Sequence, residues 1–148
     1  MKIPCTRITL KSSVPKAQTP GSAAVDLASA GVYIIRHHDV TYVPTQIRVA
    51  IPAGYFGMLS LRSGWAAKNH CVMPNGVGVI DSDYRGEIIV PVYSLQPHNF
   101  VLSSHVRFAQ LTLIKCETVE LDMITGDMFD EFYSTERNSG GFGSTGEV

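Results

Sequence analysis

Short apolar runs alternate with turn signals along most of the chain. Runs rich in Val, Ile, Leu, Thr and aromatic residues lie at 6–10, 40–51, 56–61, 87–93 and 108–114. The first alternates strictly, with Ile8 and Leu10 on one face and Thr9 on the other. Gly, Pro, Asn and Asp mark turns at 19–21, 52–54, 74–76, 83–86, 96–98 and 125–127. Short strands divided this often predict an all-β sandwich or barrel. Helical spacing is scarce: only 119–132 is able to hold a turn or two, and Gly126 interrupts it. No repeat and no internal domain boundary is visible.

The chain has 148 residues, which suits one domain with a real core. Charged residues make up 17%, against about 25% in an average domain. That deficit points to a surface partly covered by another subunit. A net charge of −1 excludes a broad polybasic face, so no nucleic-acid partner is expected. The longest uncharged stretch, 49–61, carries Pro52, Gly54 and Gly57 and falls short of the ~20 apolar residues that span a bilayer. No membrane association is expected, and residues 1–10 lack the apolar region of a signal peptide. Three cysteines, at 5, 71 and 116, form no C-x-x-C pair. An intracellular location, cytoplasm or nucleus, follows as the expectation.

Three stretches carry candidate chemistry. Asp81, Asp83, Tyr84, Arg85 and Glu87 crowd an expected hairpin at 75–87. This is a solvated Asx-rich turn, or a carboxylate placed to take a proton from water or to face a magnesium ion. Arg62-Ser63-Gly64 offers a guanidinium, a hydroxyl and backbone N–H groups to a phosphate, a weak signal when taken alone. Residues 134–148 hold four glycines and few apolar side chains. That composition fits a solvated tail, or an arm that orders over a ligand with Arg137 on phosphate and Phe142 stacked on a flat ring. There is no P-loop, no G-x-S-x-G and no H-E-x-x-H, and Trp65, Leu111 and Leu113 suit a core or an interface.

Five segments in order resemble the five motifs of the trimeric deoxyuridine triphosphatases. They are Gly-Ser-Ala-Ala-Val-Asp-Leu-Ala at 21–28, the stretch 57–68 around Arg62-Ser63-Gly64, and Gly-Val-Gly-Val-Ile-Asp-Ser-Asp-Tyr-Arg-Gly at 76–86. Arg-Phe-Ala-Gln-Leu at 107–111 and Thr-Glu-Arg-Asn-Ser-Gly-Gly-Phe-Gly-Ser-Thr-Gly at 135–146 complete the set. The resemblance implies a distorted β jelly-roll core over residues 1–133, with a Gly-rich arm over 134–148. It implies a homotrimer with active sites shared between subunits. The implied reaction is hydrolysis of dUTP to dUMP and diphosphate with Mg²⁺, which keeps uracil out of DNA and supplies dUMP for dTTP synthesis.

The resemblance also implies roles. Asp81 activates the water that attacks the α-phosphorus. Tyr84 packs on the deoxyribose and leaves no room for a 2′-hydroxyl. Backbone at Gly78, Val79, Ile80 and Ile89 reads uracil, assisted by Asn75, and the tight pocket excludes the thymine methyl. Arg62, Ser63, Gly64 and Gln110 hold the phosphate chain, with Asp26 positioning them from behind. Arg137, Phe142, Gly143, Ser144 and Thr145 close over the substrate. Magnesium is held through phosphate oxygens and water, with no direct protein ligand.

The chain departs from the family pattern at Val25, Leu61, Trp65 and His105-Val106, the last in place of a usual Gly-Asp. A dCTP deaminase, which shares the fold, carries a catalytic Glu where Pro91 stands here. A non-catalytic binding module on the same fold is expected to lose Asp81 or the arm, and this chain keeps both.

Overall fold

The structure, a computed structural model, describes residues 1–141. It divides into two compact units, Met1–Glu117 and Thr118–Val148. The first is all-β apart from one short helix, with its strands in four small sheets in the manner of a distorted jelly roll. In chain order it holds β1 (Cys5–Arg7), β2 (Val25–Ala28), β3 (Tyr33–Ile35), β4 (Val40–Pro44), β5 (Ile47–Val49) and β6 (Tyr55–Leu61). There follow α1 (Ser63–Asn69), β7 (Cys71–Val72), β8 (Gly78–Ile80), β9 (Ile89–Ser94), β10 (Phe100–Leu102) and β11 (Arg107–Lys115).

The largest sheet runs in the order β2-β11-β6-β8, and a second runs β4-β9-β7. Two further pairs, β1-β5 and β10-β3, complete the shell. All named pairs are antiparallel. Inward-facing residues alternate along the strands, as a half-buried sheet requires. Val90 and Val92 are buried while Ile89 is exposed. The core gathers Leu27, Ile35, Val43, Ile47, Leu59, Ile88 and Phe108. Trp65 on α1 leans on that core, its ring 5.7 Å from Phe108 and 6.3 Å from Phe100.

Four local expectations in this unit are corrected. The run 40–51 is broken at Thr45-Gln46, where Gln46 adopts φ 55° and the chain turns from β4 into β5. The segment 75–87 is no hairpin: β8 pairs with β6, while β9 pairs with β4 and β7. The loop between β8 and β9 therefore bridges two sheets. The expected strand at 6–10 ends at Arg7, which leaves Ile8 and Leu10 outside β1 and exposed. A helix also forms at α1, where Arg62 caps the start without a side-chain bond and His70 ends it at φ 48°.

The second unit contains α2 (Gly126–Tyr133). Gly126 opens this helix instead of interrupting it, because Thr125 caps the end through its hydroxyl. Beyond α2, Thr135 and Asn138 exchange hydrogen bonds of 2.9 and 3.1 Å, which closes a turn. No helix among the described residues is long and apolar enough to cross a membrane.

Candidate active site

Asp26 sits in β2 between Val25 and Leu27, and a lone carboxylate there is costly to bury. Two guanidiniums meet it. Arg62 Nε lies 3.0 Å from one carboxylate oxygen and Arg107 Nη1 lies 3.1 Å from the other. Arg62 also donates to the Arg107 carbonyl at 3.2 Å. The three groups thus lock the end of β6, the start of β11 and β2 together.

A bulge in β11 makes this possible. The pairing with β2 shifts between Arg107 and Ala109, so Phe108 and Ala109 are both buried in succession. The extra residue reverses the alternation, which lets Arg107 and Gln110 serve the same face. Gln110 pairs with Asp26 on one side and Ser60 on the other. Its amide donates to Ser60 Oγ at 3.2 Å. A polar row, Asp26-Gln110-Ser60, therefore crosses three strands of an otherwise apolar sheet.

Asp26 and Gln110 of that row line a cleft of about 520 Å³ whose walls include Arg62, Ser63, Gly64, Trp65, Ser22 and Thr112. Ser63 and Gly64 form the first turn of α1, whose N–H groups have no acceptor within the helix. Gly64 has open space beside its Cα. Hydroxyls, backbone donors and a guanidinium turned into one cleft make a receptor for an anion.

A second, smaller pocket of about 220 Å³ is lined by Val79, Ile80, Asp81, Tyr84, Glu87 and Ile89. Asp81 is exposed at its edge, and its carbonyl accepts the Tyr84 N–H at 3.2 Å. The Tyr84 hydroxyl donates to the Glu87 carbonyl at 2.9 Å, so the ring folds back over Gly86. Apolar walls beside a flat ring and a carboxylate suit a small heterocycle and its sugar. Burial, followed by the charge of Glu87, raises the Tyr33 phenol above its ordinary value of 10.0.

The clefts share no lining residue. Arg62, Ser63, Gly64, Gln110 and Asp26 come together in the first. Val79, Ile80, Asp81, Tyr84 and Ile89 come together in the second. Gly78 is buried in β8 against Leu59, and Asn75 is exposed in the turn before it; neither lines the pocket. Arg137 belongs to the second unit, where its Nε donates to the Gly140 carbonyl at 2.8 Å. Phe142, Gly143, Ser144 and Thr145 lie outside the described residues.

Sequence reasoning gave no site role to Arg107, and it placed Glu87 in the polar cluster at 75–87 without a role of its own. Arg107 was legible as the partner that a carboxylate between two apolar strand residues requires. Nothing in the sequence pointed from Glu87 to Gln46 or to the Tyr84 hydroxyl. The His105-Val106 departure is absorbed: His105 takes φ 63°, the conformation a glycine favours. Its N–H donates to the Ser29 carbonyl at 3.0 Å, and the Ser29 N–H returns a bond to the Val106 carbonyl at 3.0 Å.

The family model described as dUTPase matches residues 11–146. The chain belongs to the dUTPase family. Its members are deoxyuridine triphosphate nucleotidohydrolases, hydrolases that cleave dUTP to dUMP and diphosphate. The family relative from Orientia tsutsugamushi strain Boryong is 39% identical over 137 residues, covering 91% of this chain and 89% of its own. The one from Candida albicans is 37% identical over 144 residues, covering 95% of this chain and 87% of its own. Among solved structures, the dUTPase of Staphylococcus bacteriophage 80alpha, a G164S mutant with dUpNHpp, superposes with a TM-score of 0.87 at 23% identity over 98% of both chains. That likeness establishes the dUTPase fold for this chain.

Proposed function

We propose that this chain carries out the dUTP hydrolysis of its family with Asp81 as the base. Asp81 takes a proton from a water, whose oxygen attacks the α-phosphorus. The bond from that phosphorus to the oxygen bridging the α- and β-phosphates breaks, and diphosphate leaves. Positioning and charge neutralisation carry most of this chemistry. The supporting observation is the pairing of an exposed carboxylate with the Tyr84 ring in one small pocket.

Tyr84 holds the deoxyribose, and Val79, Ile80 and Ile89, with Gly78 and Asn75 behind them, enclose the uracil. Arg62, Ser63, Gly64 and Gln110 receive the phosphates, and Asp26 orients Arg62. Residues 134–148, with Arg137 and Phe142 to Thr145, act as the closing arm. We place the protein inside the cell, in cytoplasm or nucleus.

Magnesium fits this donor set as a substrate-borne ion. The exposed Asp81 carboxylate is an acceptor for hydrogen bonds from the waters that a magnesium ion keeps. The bound ion would supply charge neutralisation on the triphosphate. A solved dUTPase from phage phi11 of S. aureus is described with a structural Mg(II) ion.

The protein acts as a homotrimer with shared sites. Support comes from the two clefts with no common residue and from exposed apolar side chains at Ile34, Tyr42 and Val101. Each cleft supplies half of what a nucleotide needs. Pyrophosphate release from dUTP, dCTP, dTTP and UTP tests the reading. Selective dUTP turnover that falls by about 10²–10⁴ in Asp81→Asn supports it. Wild-type turnover in Asp81→Asn overturns the base assignment. Mixing inactive Asp81→Asn with inactive Arg62→Ala restores activity only if the sites are shared.

A further inference from the structure

We infer that Glu87 is a positioning residue for Tyr84, and that through it the corner between β4 and β5 sets the preference for deoxyribose over ribose. The inference rests on the reading of Tyr84 as the surface that holds the sugar.

Tyr84 is 43% exposed, so packing alone does not fix its ring. Its hydroxyl is fixed instead by donation to the Glu87 carbonyl at 2.9 Å. The direction of that carbonyl depends on what holds residue 87. Its carboxylate Oε1 accepts the Gln46 N–H at 2.7 Å. Gln46 stands in the left-handed region at φ 55°, a conformation that non-glycine residues adopt only when their surroundings impose it. The charge-assisted bond from Glu87 is one such constraint.

Gln46 is itself anchored from the opposite side. Its side-chain oxygen accepts bonds from Thr9 at 2.5 Å and Ser12 at 2.9 Å. The next residue, Ile88, is held by Ile47 at 2.9 Å and by the Thr45 hydroxyl at 2.7 Å. Glu87 therefore links a corner held by several hydrogen bonds to an exposed ring. Gly86 leaves the space in which the ring lies. A ring held at that depth blocks a 2′-hydroxyl, whereas a ring free to tilt away admits it. Discrimination by exclusion depends on such rigidity.

The test measures kcat/KM for dUTP and for UTP with the full chain and magnesium. Glu87→Ala is expected to lower the dUTP-to-UTP ratio about tenfold, the scale of one charge-assisted hydrogen bond. Tyr84→Phe removes the bond from its other end and is expected to do the same, which covers the case in which Glu87→Ala fails to fold. Glu87→Gln keeps an oxygen for the Gln46 N–H, and its ratio stays within about twofold of the parent. A wild-type ratio in Glu87→Ala or Tyr84→Phe overturns the inference, whatever happens to thermal stability. Tyr84→Ala separates the two levels. If it leaves the ratio unchanged, the sugar reading fails and this inference fails with it. If it collapses the ratio while Glu87→Ala does not, the inference alone fails.

Discussion

Asp26 and Arg62 form the closest ion pair among the described residues, with Arg62 Nε 3.0 Å from Asp26 Oδ1. The carboxylate is 9% exposed, whereas the guanidinium is 33% exposed and reaches the cleft. The buried partner therefore orients the accessible one. Asp26→Asn keeps the shape and removes the charge that faces both Arg62 and Arg107. The expected loss of stability is about 1–3 kcal/mol, at the low end of buried pairs because both arginines reach solvent. If Arg62 receives the phosphate chain as proposed, the expected kinetic signature is a raised KM for dUTP, with inhibition by dUMP, which has a single phosphate, less affected. Urea unfolding and steady-state kinetics check the two effects separately.

Gly57 in β6 is the tightest backbone approach in the main sheet. A Cβ there would lie 2.8 Å from Ile51 Cδ1, 2.9 Å from Leu111 Cδ1 and 3.3 Å from Ile80 Cβ. The two methyl groups are able to rotate away, but the Ile80 Cβ is fixed to the strand. Gly57→Ala is expected to cost about 1–2 kcal/mol by overpacking. It also pushes β8 outward, and Ile80 lines the small pocket. A lower urea midpoint together with weaker dUTP binding is the expected result. A lower midpoint alone would mean that β8 is held in place by something other than β6.

Much of the fold was legible in the sequence, because the long strands carry enough apolar positions for the pattern to register. β6, β9 and β11 alternate or run apolar over six to nine residues, and turns bound them. What escaped was non-local. Nothing in residues 75–87 says that β8 joins β6 while β9 joins β4, since both choices satisfy the same local pattern. Gln46 and His105 turn the chain with positive φ, and no glycine marks either place. α1 has seven residues and no side-chain cap, too little for periodicity to register. In the site, Asp26, Arg62 and Arg107 are far apart in sequence and meet only because of a bulge at Phe108. The motifs named the residues, but their pairing required the sheet register.

Gly86 has a requirement separate from backbone freedom. A Cβ at this position would overlap the Tyr84 hydroxyl and ring. Tyr84 is exposed, so a Cβ here displaces its ring outward at the cost of one solvent-exposed hydrogen bond, and Gly86→Ala is expected to fold with little change in melting temperature. The displaced ring no longer walls the pocket. The expected outcome is a fall of about 10–100-fold in kcat/KM for dUTP, the scale of a misplaced binding group. Loss of activity with unchanged stability distinguishes this from a general folding defect.

Cys71 and Cys5 stand at opposite extremes of thiol environment. Cys5 is exposed in β1, while Cys71 is 4% exposed in β7. Burial pushes the Cys71 thiol up from 9.0 to about 11, and a hydrogen bond with Ser94 offsets this only partly. At pH 8 only about one Cys71 in a thousand is then a thiolate, the form that attacks disulfide reagents. Native protein is expected to react promptly at Cys5 and to protect Cys71 until it unfolds. Mass mapping of the labelled peptides checks this. The same shift has a stability consequence. Between pH 9 and 11 the folded chain keeps the Cys71 proton that the unfolded chain gives up. Because the native state binds more protons there, its stability declines as pH rises through that window. Cys71→Ala removes this contribution, so its stability should fall less steeply than the parent's between pH 9 and 11. Equal slopes would mean that the thiol ionises in the folded protein as readily as in the unfolded chain.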